Sequence, residues 1–250
     1  MEIVTVSIAV RLVCRSGERK ALDSTRARTL HVDRHVVVVD KPSGVPTVPF
    51  DEGERRSLVQ LVSRELKGQR LHVVQRLDAG TSGVLVFART ELAREVLKAQ
   101  LQTHSMEREY LAVCHGRIDR PTTFRSFLVA DRGDRRRGSA RRGEKGRLAV
   151  THVEPREPLR GATLVACRLE TGRTHQIRIH LAEAGHPLLG ERVYVKGFPG
   201  RPLPSPRLAL HAHRIAFDHP GGGRRMTFVS PLPDDLAGLV RSLGGRLSSP

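Results

Sequence analysis

Two short apolar runs constrain this chain more than any other feature: VVVV at 36–39 and VLVF at 84–87. The first, all valine, reads as a buried strand. The first run opens into a Pro/Gly-rich loop, DKPSGVPTVPF. The second is reached from another apolar stretch through QRLDAGTSG, which gives strand, loop, strand across 73–87.

Around these strands the pattern changes period. RSLVQLVSRELKG spaces Leu58, Val59, Val62 and Leu66 as a helix, with Gly68 just past its end. TELAREVLKAQLQTH begins on Thr90, a capping residue, carries Glu91 in its first turn and aligns Leu92, Val96, Leu97 and Leu101. REYLAVCHGRI alternates as a strand with Tyr110, Ala112 and Cys114 on one face. Residues 162–170 alternate again, and Thr171 and Gly172 turn the chain. Thr174 is placed to cap a helix from His175 whose stripe is Ile177, Leu181 and Ala184, with Gly185 at the exit. Arg178 then stands about one turn into that helix, near its positive end. RLALHAHRIAF is a further strand, and a short helix closes the chain. The apolar opening reads as a first strand: Glu2 and Arg11 do not suit a signal peptide. Strands outnumber helices without regular alternation, an α+β pattern.

A chain of 250 residues makes one large domain or two small ones. Its 43 lysines and arginines against 26 carboxylates leave a net charge of +17. Such an excess attracts polyanions, and arginine's planar fork suits phosphates and bases, so nucleic acid is the leading partner. A GC-rich genome, whose codons favour arginine, is the competing explanation. The segment 131–147 carries eight positive and three negative charges and almost nothing apolar. It cannot bury a face, and reads as a mobile loop or a weak hairpin tip. Three widely spaced cysteines fit a reducing compartment and form no zinc pattern. His175 and His180 are five apart, off one helical face, so no metal site is expected. No segment reaches the length of a membrane span, and a cytoplasmic location is expected.

An aspartate in RLDAGTSG is explained by turn chemistry alone, and GRTHQIR alone by a cap and a surface helix. Their co-occurrence in order is more informative. QRLDAGTSGVLVFART, EREYLAVCHG, LETGRTHQIRIHLAEAGHPLLGERVY, LALHAHRIAF and SPLP together resemble the RluA-type pseudouridine synthases over about residues 30–235, and VVVVDKPSGVPTVP resembles the strand and loop that open their catalytic domain. The resemblance implies isomerisation of uridine to pseudouridine in rRNA or tRNA, on an α+β fold with a mixed, mainly antiparallel sheet, flanking helices and a central basic cleft. It implies an N-terminal extension over 1–30, a catalytic domain over 31–235 and a C-terminal helix and tail over 236–250. It makes Asp78 the catalytic carboxylate, Arg178 its partner and Tyr110 the residue that stacks on the uracil. Arg76 is expected to fill the space the flipped base leaves, and Leu181 to wall the pocket. Thr81, Ser82, Arg173, His175 and Gln176, in the same motifs, are expected substrate contacts.

The reaction is redox-neutral and no metal or nucleotide motif is present, so no cofactor is expected. RNA is the expected partner, no membrane is involved, and a monomer is expected. About thirty residues precede the catalytic domain, too few for the accessory RNA-binding domain many relatives carry. One departure stands out: the family usually has histidine before RLD, and this chain has Gln75. That departure and the arginine-rich loop keep open the alternative of a catalytically silent RNA-binding or ribosome-assembly protein on the same scaffold. Two tyrosines and no tryptophan disfavour an unrelated aromatic-platform RNA reader.

Overall fold

A computed structural model describes residues 27–50, 56–133, 136–141 and 143–246. The strand expected near the N-terminus lies outside the described residues. Two compact units divide the chain. The first comprises the described part of Met1–Met106 with Arg214–Ser230, and the second comprises Glu107–His213 with the described part of Pro231–Pro250.

In the first unit, β1 (Arg28–Val32) pairs with β2 (Val36–Lys41), and β2 with β4 (Ser82–Ala88), both antiparallel. The short β3 (His72–Val73) also pairs with β4. Valines 36–39 and residues 84–88 are buried at every position, which is why neither run alternates. Val36, Val38, Val84, Val86 and Ala88 share one apolar cluster with Ala93 and Leu97 of α2 (Glu91–Gln102) and with Ile215 and Phe217. Each fully buried valine contributes roughly 1.5–3 kcal/mol, so this layer fixes where the loops between its strands emerge. Thr90 caps α2 as expected, its side chain accepting from the Ala93 N–H at 3.1 Å. α1 spans Leu58–Glu65 and buries Leu58 and Val62. The 214–218 part of β10 (Leu210–Asp218) pairs antiparallel with β11 (Arg225–Val229).

The second unit is an antiparallel run in the order β5 (Glu107–His115), β9 (Ala162–Leu169), β8 (Arg147–Leu159), β6 (Thr122–Val129), β7 (Gly138–Ser139). α3 spans Gln176–Glu183 and α4 spans Asp234–Ser242. Leu236, Leu239 and Val240 of α4 pack with Val113, Leu164 and Leu189. β6 and β8 carry weak sequence signals. β6 is half-exposed along its length, and β8 contains Pro155 and Pro158 beside a register shift. Within 131–147 the described residues form a hairpin tip whose Ser139 N–H and hydroxyl both donate to the Glu183 carboxylate. The Thr174 cap is a correction. His175 occupies the cap position in left-handed backbone (φ 60°), α3 begins at Gln176, and no side chain caps it.

Candidate active site

Asp78 sits on the connection between β3 and β4, in a turn closed by the Thr81 N–H donating to the Asp78 carbonyl at 3.0 Å. That turn is clamped to the loop after β2. Thr47 Oγ1 donates to the Leu77 carbonyl at 2.7 Å and accepts from the Leu77 N–H at 3.0 Å. Lys41, 1% exposed, donates from Nζ to the carbonyls of Pro42, Val45 and Ala79 at 3.0, 2.7 and 3.0 Å. Ser43 Oγ donates to the Gly80 carbonyl, and the Gly44 N–H to the Ala79 carbonyl. Gly44 holds φ +88°, a conformation that favours glycine. Bonds to the backbone on either side of Asp78 therefore fix the turn. Arg76 is exposed and Asp78 half-buried, while Thr81 and Ser82 are buried. Thr81 Oγ1 is buried without a hydrogen-bond partner among the described residues.

The other expected site residues lie in the second unit. Tyr110 is on β5, buried opposite Cys167 of β9. Gln176 is buried and uses all four of its hydrogen-bonding positions. Its Nε2 donates to the Val150 carbonyl and Thr151 Oγ1 of β8, and its Oε1 accepts from Thr171 Oγ1 and the Arg173 N–H. This side chain, in place of a capping hydroxyl, ties down the start of α3. Leu181 is fully buried. Arg173 Nε donates to the Leu148 carbonyl at 2.9 Å.

Arg178 has a partner that sequence reasoning missed. Its Nε and Nη2 donate to the two carboxylate oxygens of Glu191 at 2.7 and 2.9 Å, with side chains 11% and 0% exposed. Glu191 is delivered by a strap in which the Leu189 N–H donates to Val113 and the His115 N–H to Pro187. Its Oε1 also accepts from the backbone N–H groups of Arg192, Val193 and Tyr194. Burial alone would raise the Glu191 pKa, but Arg178 and the N–H groups of Val193 and Tyr194 outweigh it and hold the carboxyl below its ordinary range. The Arg178 guanidinium lies 5.3 Å from the centroid of the Tyr194 ring, and the Tyr194 hydroxyl shares a 2.7 Å hydrogen bond with His175 Nδ1. The left-handed backbone of His175 costs about 1–3 kcal/mol and is held by this network. The guanidinium is thus locked in plane by a fork, an aromatic face and a buried charge. Among the described residues no group of three or more His, Cys, Asp or Glu side chains is placed to hold a metal ion.

The family model for RNA pseudouridylate synthase matches residues 35–183, which include the clamped turn, Tyr110 and the α3 motif. The chain belongs to the RNA pseudouridylate synthase family. It is 34% identical over 224 residues to the ribosomal large subunit pseudouridine synthase D of Zymomonas mobilis, covering 84% of this chain and 71% of that one. It is 38% identical over 219 residues to the uncharacterized RNA pseudouridine synthase YlyB of Bacillus subtilis, with 84% and 71% covered. Human RNA pseudouridylate synthase domain containing 4 shares the fold, with a TM-score of 0.70 at 21% identity over 86% of this chain and 92% of that one. The RluA-type resemblance and the α+β expectation both hold. The chain is an RNA uridine-to-pseudouridine isomerase. Among the described residues no helix is long and apolar enough to cross a membrane.

Proposed function

We propose that Asp78 is the catalytic carboxylate of this isomerase, that Arg178 and Tyr110 act with it on one flipped uridine, and that the RNA is ribosomal. The observation that carries the reading is the turn itself. Lys41 and Thr47 fasten the backbone on both sides of a half-buried aspartate, far more anchoring than a surface connection needs. The reaction breaks the bond between C1′ of the ribose and N1 of uracil, forms one between C1′ and C5, and moves the C5 proton to N1. An ionised carboxylate serves by attacking C1′, by attacking the base or by removing a sugar proton, and each route requires the charged form. An arginine held in plane by Glu191 is preorganised to orient that charge. Tyr110 stacks on the uracil and assists loss of the C5 proton. Arg76, exposed two residues before Asp78, fills the stack the base leaves, and Thr81, whose buried hydroxyl has no hydrogen-bond partner among the described residues, bonds the substrate. The ribosomal assignment follows the names of the relatives in Zymomonas and elsewhere. The reading takes the protein to act as a cytoplasmic monomer.

The test is tritium release from RNA labelled at uracil C5, using separate ribosomal and transfer RNA pools. Wild type is expected to release tritium from ribosomal RNA, and Asp78→Asn to bind it without release. Release that survives the substitution overturns the assignment of Asp78. Release from transfer RNA alone overturns the ribosomal assignment.

A further inference from the structure

Arg108 and Arg173 of the second unit meet at the Thr171 and Gly172 turn, and Arg147 adjoins the carbonyl that Arg173 bonds, without a carboxylate among them. Arg108, on β5 and 9% exposed, donates from Nη2 to the carbonyls of Leu169 and Glu170 at 3.3 and 3.0 Å. Its Nη1 lies so close over Gly172 that a Cβ there would meet it at 2.6 Å. Arg173, next along the turn and half-buried, donates from Nε to the carbonyl of Leu148, whose neighbour Arg147 is exposed at the start of β8. The three therefore grade from buried to exposed around one short turn. Among the described residues none of them is ion-paired to a carboxylate. The Glu170 carboxylate bonds His152 at 2.7 Å. Arg108 Nε is buried and has no hydrogen-bond partner among the described residues. Burial, then the charges of Arg147 and Arg108, push the Arg173 guanidinium below its ordinary pKa range.

A like-charged cluster of this kind is unfavourable in the free protein and is relieved by an anion. We propose that Arg108, Arg147 and Arg173 form a subsite that grips a single phosphodiester of the RNA, beside Tyr110, which stands two residues from Arg108 on the same face of β5. The proposal rests on the reading of the protein as an enzyme acting on RNA, and it names where the backbone is held. Arginine is the residue for such a grip, because its fork matches two phosphate oxygens.

The experiment measures binding of a fluorescein-labelled, uridine-rich RNA oligonucleotide to the full chain by anisotropy across a salt series. Wild type is compared with Arg147→Gln, Arg173→Gln, the double variant and Arg108→Lys. Arg117→Gln, an exposed arginine paired with Asp119, is the control. Each single glutamine variant is expected to weaken binding roughly tenfold and to flatten the salt slope by about 0.7–0.9. The double variant is expected to lose less than the product of the single losses, since both side chains hold one phosphate. Arg108→Lys keeps the charge without the fork and is expected to weaken binding less; if it fails to fold, Arg147 and Arg173 carry the test. Losses no larger than that of Arg117→Gln overturn the proposal, and fully multiplicative losses overturn the single shared phosphate. Inorganic phosphate is added in a parallel melting experiment. Stabilisation by phosphate that depends on Arg147 and Arg173, with RNA affinity unchanged in their variants, overturns the RNA assignment. Tritium release read alongside separates the two claims: wild type without release refutes the enzyme reading while leaving the binding comparison intact.

Discussion

Replacing Glu191 by glutamine tests the lock on Arg178 most directly. The substitution keeps the shape of the side chain and an oxygen for the N–H groups of Arg192, Val193 and Tyr194. It removes the negative charge and turns an N–H₂ group toward Arg178 Nε, which now donates at 2.7 Å to a carboxylate oxygen. Arg178 is then a buried cation facing a donor. Breaking one side of a buried, hydrogen-bonded ion pair costs about 3–5 kcal/mol, because the remaining charge stays desolvated. For a chain of this size that corresponds to a fall in melting temperature of roughly 6–20 °C. Thermal unfolding followed by circular dichroism at neutral pH reads it. The sign of the pH dependence follows from the depressed carboxyl. Its stabilisation is complete above the ordinary glutamate range and is lost only as pH falls below it, through the folded-state value. The difference between wild type and Glu191→Gln is therefore expected to be constant near neutrality and to shrink in acid. A loss below about 1 kcal/mol, the ceiling for exposed pairs, would refute the claim that the pair is buried and tight. A difference that grows toward low pH would refute the direction of the shift.

Two further outcomes follow from the same geometry. Lys41→Met removes the Nζ donor to the carbonyls of Pro42, Val45 and Ala79, of which Ala79 keeps the Gly44 N–H, and a buried carbonyl left unpaired costs about 1–3 kcal/mol; amide exchange at Gly44 and Thr81 is expected to accelerate, with catalysis falling more than RNA binding. Tyr110→Phe keeps the ring and deletes the hydroxyl, so RNA affinity is expected to stay within about twofold while tritium release slows, and equal losses in both would remove the hydroxyl's part in the C5 proton step.

The legible parts of the fold are those whose signal is local. Residues 36–39 read as a buried strand and 84–87 as a strand, both found buried, and Thr90 caps α2 as its position implies. β6 and β8 escaped because their pattern depends on neighbours. Phe124 and Phe127 stand three apart on β6 among Thr, Arg and Ser, so they fall on opposite faces with little burial, and β8 carries two prolines, one of them at a register shift. The start of α3 was misread for a related reason. Thr174 matches a capping preference, yet Gln176 reaches across to Val150 and Thr151 of β8, and His175 takes the left-handed turn that allows it. Asp78 and Arg178 were visible as motif residues. The groups that hold them, Lys41, Thr47 and Glu191, were not, because a hydrogen bond spanning 13 to 38 residues leaves no periodic trace.

Those anchors also bear on Gln75, where the family resemblance leads one to expect histidine. The turn that presents Asp78 is fastened through Leu77 by Thr47, through Ala79 by Lys41 and Gly44, and through Gly80 by Ser43. Each of these bonds reaches the backbone of residues 77–80, and none runs through the side chain at 75. A change of side chain there removes none of the clamp. Gln75→His is therefore expected to leave the melting temperature within about 2 °C, since substitutions away from caps, cores and buried pairs stay near ±0.5 kcal/mol, and to act on RNA affinity alone. A large gain in stability would mean that the turn depends on residue 75 after all, and the weight placed here on Lys41 and Thr47 would be wrong.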